Sequence, residues 1–236
     1  MDSLVAAAIH DAKNSLNVLG VWLAEARREF AEKDQFPADA PSPALAKATA
    51  ITARLTGQLV ELLALYRAGD GTLRLAVEDH SLADFLGDVM VELSGFNPLE
   101  SQVAIDADFA AADAIGDWAF DAYQVKFVLL DALRNALRHA ATRIRFSFAR
   151  QPHPAGGICF TIEDDGPGFA PEMLRSADVE SISAGQAMSS SSSGLGLSFA
   201  RLIAARHATL AGTHGRLELA NDGLGKGGAR FSLLLP

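Results

Sequence analysis

The feature that most constrains this chain is a pair of apolar stripes spaced in alternating steps of four and three. Val5, Ile9, Ala12, Leu16, Leu19, Leu23, Ala26 and Phe30 form the first; Leu45, Ala48, Thr52, Leu55, Leu59, Leu62 and Tyr66 form the second. Such spacing keeps one seam of a helix turned toward another helix. Between the stripes, Phe36 to Pro43 carries prolines that interrupt helix, which predicts two helices folded back as an antiparallel hairpin. A lone hairpin buries too little apolar surface. Two copies paired about a twofold axis would satisfy both stripes, so a homodimeric four-helix bundle is expected.

After Ala68-Gly69-Asp70-Gly71 the pattern changes from helical to mixed. This divides the chain into a hairpin over 1–68, a linker over 69–72 and an α/β domain over 73–236, an α+β architecture overall. The expected elements of the second part are a strand near Leu73 to Val77, a helix opened by Ser81 with Asp84 three residues on, and a strand near Val103 to Phe109. A long helix follows from about Phe120 to Ala140, then strands Arg143 to Phe148 and Ile158 to Glu163 around a turn at Pro152 to Gly157. The segment Ser176 to Ser193, rich in Ser, Ala and Gly, is expected to be a mobile loop. A helix from about Leu195 to Arg206 and strands Arg216 to Ala220 and Ala229 to Leu235 complete an open sheet with helices on one face.

Composition narrows the function. A net charge of −9 argues against duplex nucleic acid or an anionic membrane as the main partner, because both reward clustered Lys and Arg. With Cys159 as its single cysteine, the chain can form no internal disulfide, and a reducing cytoplasm is the simplest setting. Met1 to His10 lack the basic flank and long apolar run of a signal peptide, so none is expected here. No segment approaches the roughly 20 apolar residues that span a bilayer, so no direct membrane insertion is expected. The chain reads either as a complete protein or as a piece cut from a larger one.

Three segments carry chemistry. Asp164-Asp165-Gly166-Pro167-Gly168-Phe169 follows an expected strand, where glycines let backbone approach a ligand and a carboxylate can accept a hydrogen bond from an exocyclic amine. Gly194-Leu195-Gly196-Leu197 opens a helix whose free N–H groups favour a phosphate. On the long helix, Asp131, Asn135, Arg138 and His139 share a face opposite Leu130, Leu133 and Leu137. A side-chain amide and a carboxylate one turn apart suit Mg²⁺, which fills the rest of its shell with phosphate and water. Each segment alone also fits an ordinary turn, linker or solvated helix face.

In this order, and followed by Gly227-Gly228-Ala229-Arg230-Phe231, the three segments resemble the N, G1, G2 and terminal glycine boxes of the Bergerat-fold ATPase domain of histidine kinases. The resemblance covers about Leu73 to Pro236. It implies that ATP and Mg²⁺ are the cofactors, that Asn135 ligates the metal with Asp131 close by, and that Arg138 contacts phosphate. His139 would line the nucleotide pocket, Asp164 would read the adenine amino group, and Gly166, Gly168, Gly194 and Gly196 would permit close backbone approach.

At the other end, Ile9-His10-Asp11-Ala12-Lys13-Asn14-Ser15-Leu16 resembles the kinase H box. His10 lies beside the stripe, so its imidazole should reach solvent, and a neutral imidazole nitrogen is a competent nucleophile near neutral pH. Asp11 is placed to take or polarise its proton, and Asn14, one turn on, to orient a water that dephosphorylates the partner. The family resemblance implies a two-component sensor histidine kinase that phosphorylates His10 and passes the phosphoryl group to an aspartate of a response-regulator receiver domain. Its signal would come from an upstream sensor protein, a further region or a ligand.

The sequence departs from the family pattern in four places. Ser192 stands where the G2 box commonly begins with glycine, no Phe-rich box lies between Phe169 and the serine run, and His207 to Gly215 is longer than the usual turn. Asp131 sits where many kinases carry Asn or His and where hydrolytic relatives place a water-activating acid. An ATP-hydrolysing machine of the same fold is therefore one alternative. A histidine phosphotransfer protein with a decayed ATPase domain is another, which the retained Asn135, Asp164 and glycines disfavour.

Overall fold

The computed structural model describes residues 16, 18–23, 25–26, 43–94, 103–151, 156–177 and 195–236. The expected acceptor segment with His10, Asp11 and Asn14, the loop over 178–193 and Gly194 lie outside the described residues. The chain divides into two compact units, one holding the helical residues up to Thr72 and the other comprising Leu73–Ile182 and Gly196–Pro236.

In the first unit, residues 18–23 are helical and α1 spans Pro43–Gly69. The helix ends where it does because Gly71 adopts φ 70°, and the Thr72 N–H then bonds the Arg67 carbonyl at 2.8 Å while that of Gly71 bonds Ala68 at 3.2 Å. This paired closure satisfies carbonyls the helix would otherwise leave open. Along α1 the expected stripe splits in two. Ala48 and Leu55 are buried within the chain, whereas Leu59 is 56% exposed and Tyr66 52% exposed. The first stripe divides the same way, with Ala26 buried and Leu16 and Leu23 exposed.

The second unit opens with β1 (Glu78–Ser81), α2 (Leu82–Ser94), β2 (Ala104–Ala107), α3 (Phe109–Ile115) and β3 (Asp117–Phe120). It continues through α4 (Ala122–His139), β4 (Arg143–Arg150), β5 (Ile158–Asp164), α5 (Pro171–Ala177), α6 (Leu195–Arg206), β6 (Arg216–Ala220) and β7 (Arg230–Leu235). Strands β2-β4-β5-β7-β6 form one sheet, antiparallel except for the parallel pair β2 and β4, and β1 pairs antiparallel with β3 in a second. This is the α+β architecture expected.

Periodicity explains the sheet's sidedness. On β4, Ile144, Phe146 and Phe148 are buried while Arg143 and Arg145 are exposed, as a strand with one covered face requires. Beneath the covered face, Phe85, Phe120, Phe148 and Phe160 meet edge-on, Phe85 to Phe120 at 4.9 Å and Phe120 to Phe160 at 5.7 Å. On α4, which lies against β5, Leu129, Leu130 and Leu133 are all fully buried.

Four expectations need correction. The strand expected over residues 73–77 is irregular; pairing begins only at β1, where Glu78 faces Phe120. The strand expected to reach Phe109 stops at Ala107, because the Asp108 carboxylate accepts the Ala111 N–H at 2.9 Å and starts α3. The long helix begins two residues later than expected, at Ala122, since β3 claims Asp117–Phe120. A short helix, α5, is unexpected, and its last two residues, Ser176 and Ala177, fall in the segment expected to be loop. Ser81 does open α2 as expected, its Oγ accepting the Asp84 N–H at 3.3 Å.

Candidate functional site

The polar face of α4 is the natural starting point. The helix is seated by its N-cap, Asp121, whose Oδ1 accepts the Gln124 N–H at 2.9 Å, and its apolar face locks it against the sheet. With that face fixed, Asp131, Arg138 and His139 are exposed and Asn135 is half-buried, one turn beyond Asp131. Leu130 and Leu133 lie inward as expected, and Leu137 is only partly covered.

Two glycine contacts bracket this face. A Cβ on Gly166 would strike the His139 carbonyl oxygen at the end of α4 and lie 3.0 Å from Asp164 Oδ1. A Cβ on Gly196, second in α6, would strike Asp131 Oδ2. Backbone from the G1 and G2 segments thus comes directly against the two ends of the polar stripe. The close approach that Gly166 and Gly196 permit is an approach to protein atoms, and it delimits the surface on which Asn135 lies.

Asp164 ends β5 and is only 5% exposed. Its Oδ1 accepts the Gly166 N–H at 2.8 Å and the Ala229 N–H at 3.2 Å, while Oδ2 accepts no bond from the described residues. A buried carboxylate with one oxygen fixed by backbone and the other open is equipped to receive a donor. Around it folds the turn before β7: the Leu224 N–H bonds the Asp164 carbonyl at 2.9 Å, the Asp164 N–H bonds that of Ala229 at 2.9 Å, and a Cβ on Gly228 would strike the Asp164 carbonyl oxygen. The terminal glycine segment therefore meets G1 at this carboxylate.

Three residues with no role in the sequence reading hold these segments in place. Asp165 Oδ1 accepts the N–H groups of Ala141 at 2.9 Å, Thr142 at 3.0 Å and Arg143 at 3.1 Å, clamping the turn from α4 into β4. The Thr142 hydroxyl and these amides hold its carboxyl far below the usual carboxylate range. Asn221 spans the Phe169 peptide, its Oδ1 accepting the N–H at 2.7 Å and its Nδ2 donating to the carbonyl at 3.0 Å. Gly168, at φ 80°, sits so near that a Cβ would lie 2.7 Å from Asn221. His207, the third, closes α6 against Asp121, its Nε2 accepting the Asp121 N–H at 3.0 Å.

Cys159 is buried, and burial pushes its thiol up, away from reactivity. Among the described residues no group of three or more His, Cys, Asp or Glu could hold a metal, and no helix is long and apolar enough to cross a membrane. The extra length over His207 to Gly215 closes on itself: Ala208 bridges His214, and the Gly215 N–H returns to the His207 carbonyl at 2.9 Å.

Residues 120–236 match the family of histidine kinase-, DNA gyrase B-, and HSP90-like ATPases. The matched segment runs from the end of β3 to the last residue and contains every element of the site just described. By fold and site, then, the second unit is an ATPase domain of that class. Over 195 residues the chain is 28% identical to the signal transduction histidine-protein kinase AfsQ2 of Streptomyces coelicolor, covering 82% of this chain and 33% of that protein. The chain thus spans about one third of that relative's length. Its fold resembles that of the Acinetobacter baumannii histidine kinase AdeS, with TM-score 0.59 at 17% identity over 96% of each chain. It also resembles full-length ShkA in complex with AMPPNP, with TM-score 0.57 at 18% identity over 100% of this chain and 45% of that one. The chain thus carries a Bergerat-type ATPase domain over residues 120–236, and the proteins that it resembles over a longer stretch are histidine kinases.

Proposed function

We propose that the chain is an ATP-dependent protein histidine kinase that phosphorylates His10 and transfers the phosphoryl group to an aspartate of a response-regulator receiver domain. The observation that carries this reading is the bracketing of α4. Asn135 and Arg138 lie between two points, Asp131 and His139, where G2 and G1 backbone closes on the helix.

The residues fit the implied nucleotide and metal. Asp164 keeps Oδ2 open for the adenine amine, Gly166 and Gly168 carry the backbone past it, and His139 stands at the adjoining helix end. Arg138 offers a cation for phosphate at one side of Asn135, while Gly194 and Gly196 would bring the start of α6 to the other. Asn135, with Asp131 one turn back, would hold Mg²⁺, which accepts so small a protein share because water and phosphate complete its shell. When bound, the metal supplies neutralisation of the phosphate charge.

At the acceptor, the lone pair of one His10 ring nitrogen attacks the γ-phosphorus, the bond from phosphorus to the ADP oxygen breaks, and ADP leaves. Asp11 takes or polarises the proton of the other ring nitrogen. In the reverse role, Asn14 would position a water for hydrolysis of the partner's aspartyl phosphate. The functional unit is a homodimer, because the exposed half of each stripe, including Leu16, Leu23, Leu59 and Tyr66, would be covered by a second copy. A cytoplasmic setting and a signal from an upstream sensor complete the reading.

The test is incubation with γ-labelled ATP and Mg²⁺. Wild type should acquire label that is stable in base and lost in acid, and His10→Gln none, with its ATP affinity kept within about threefold because the sequence places the two sites in different domains. Label that persisted on His10→Gln would move the acceptor elsewhere.

A further inference from the structure

A buried polar knot in the second unit lies outside the nucleotide-binding residues. Asp121 is 5% exposed and His207 3% exposed, and between them they join three elements. Asp121 Oδ1 caps α4 through Gln124, and Oδ2 accepts the Ala76 N–H at 2.9 Å from the segment leading into β1. The Asp121 N–H donates to His207 Nε2 at 3.0 Å, and His207 Nδ1 lies 2.8 Å from the Ile203 carbonyl of α6. A ring that accepts at Nε2 and faces a carbonyl at Nδ1 carries one proton, on Nδ1.

We propose that His207 is a positioning residue for the nucleotide site, holding the end of α6 to the start of α4 only as the neutral imidazole, so that acidification loosens the site. This rests on the reading of α4 and α6 as walls of the ATP pocket. The helix α6 meets α4 near both of its own ends, Gly196 against Asp131 in the middle of α4 and His207 against Asp121 at its start. Releasing the second contact leaves the first to set the placement of the G2 segment beside Asn135 and Arg138 alone. Because Asp121 also holds Ala76, the same knot ties that wall to the chain entering the unit.

The charge logic is direct. A protonated ring has no lone pair at Nε2, and its N–H would face the Asp121 N–H, so the bond that joins the helices cannot form. Burial lowers the ring's proton affinity, outweighing the Ile203 carbonyl and the Asp121 carboxylate, which both favour the cation. Asp121 is the charged group facing the ring from α4. From α6 itself come Arg201 and the exposed Arg206, and from the following loop the exposed His214, whose Nδ1 lies 2.8 Å from the Ala205 carbonyl. On the β1–β3 side, His80 meets Phe120, the residue before Asp121, with its ring tilted at 56°, and Arg74 lies on the incoming segment. A proton affinity lowered in the folded state means that stability is full above the unfolded imidazole value of about 6.5 and is lost as pH falls below it.

Calorimetric titration of the full chain with ATP and Mg²⁺ at about pH 7.5 and about pH 5.5, on either side of the ordinary imidazole range, tests this. Glutamine can offer an oxygen acceptor near the position of Nε2 but cannot titrate. Wild type should lose about tenfold more affinity on acidification than His207→Gln, the scale of one buried hydrogen bond, and the two should agree within about threefold at the higher pH. The nucleotide's own phosphates are common to both proteins, so the difference between the proteins is the readout. Nitrogen-15 NMR of the wild-type imidazoles without nucleotide should find His207 protonated on Nδ1 and still neutral below the ordinary imidazole value of about 6.5. Identical pH profiles for the two proteins, or a His207 proton on Nε2, would overturn the inference while leaving the kinase reading intact. Absence of ATP binding by wild type at either pH would overturn both.

Discussion

The two units of this chain solve the same problem differently. In the second, Phe85, Phe120, Phe148 and Phe160 meet one another under a sheet whose covered face is complete within one chain. In the first, a seven-residue spacing runs through each stripe so that Ala48 and Leu55 are buried in the single chain and Leu59 and Tyr66 are not. A self-sufficient core can hold a rigid site, whereas a half-covered seam leaves apolar surface that, in the proposed dimer, a second copy would cover. The difference fits a kinase in which one unit binds nucleotide and the other supplies a symmetric acceptor.

The comparison breaks most readily at its strongest point. Phe120→Ala removes the ring at the centre of the aromatic cluster and should cost the second unit about 3–5 kcal/mol. Denaturant unfolding followed by Trp118 fluorescence measures this, and a loss below about 1 kcal/mol would mean that the cluster does not hold the unit together. The change should leave helical association by the first unit untouched.

Leu59→Glu is the corresponding change in the first unit. It places a charge on the uncovered seam and should weaken dimerisation roughly thirty-fold or more, with ATP affinity unchanged. Sedimentation velocity over a concentration series reads the effect. A dimer as tight as wild type would show that the exposed residues of the stripe face solvent in the assembly too.

A smaller effect is expected at Asp165. Its carboxylate is ionised in the folded state at pH values where an unfolded aspartate takes up a proton, so its contribution is present above about pH 4 and declines as pH falls below it. Asp165→Asn should lower the urea midpoint modestly at neutral pH, and the gap to wild type should narrow by about pH 3. A gap equal at both pH values would assign the clamp to shape rather than charge.

Local signals explain what could be read from the sequence. The bounds of α6 and β6 follow from runs of apolar periodicity closed by turn residues, and Ser81 marks α2 by its own capping chemistry. The elements that escaped depend on partners far along the chain or on short-range competition. The sequence Glu78-Asp79-His80-Ser81 has no strand character of its own, and it pairs because Asp117–Phe120 lies opposite. Phe109–Ile115 is too short and alanine-rich to show a helical stripe until Asp108 caps it. In the site, residue types at motif spacing marked Asn135, Asp164 and the glycines. Asp165, Asn221 and His207 could not be singled out, because each acts on backbone that only the fold brings near.

The claim on which the rest depends is that the polar face of α4 holds the nucleotide. Asn135→Ala tests it most directly, since Asn135 lies on the helix surface and its loss should leave the fold and the dimer unchanged. Calorimetric titration with ATP and Mg²⁺ should find affinity reduced at least about tenfold, the scale of losing a metal-binding or positioned group. Affinity equal to wild type, in a protein shown to be folded and dimeric, would contradict the assignment of the site.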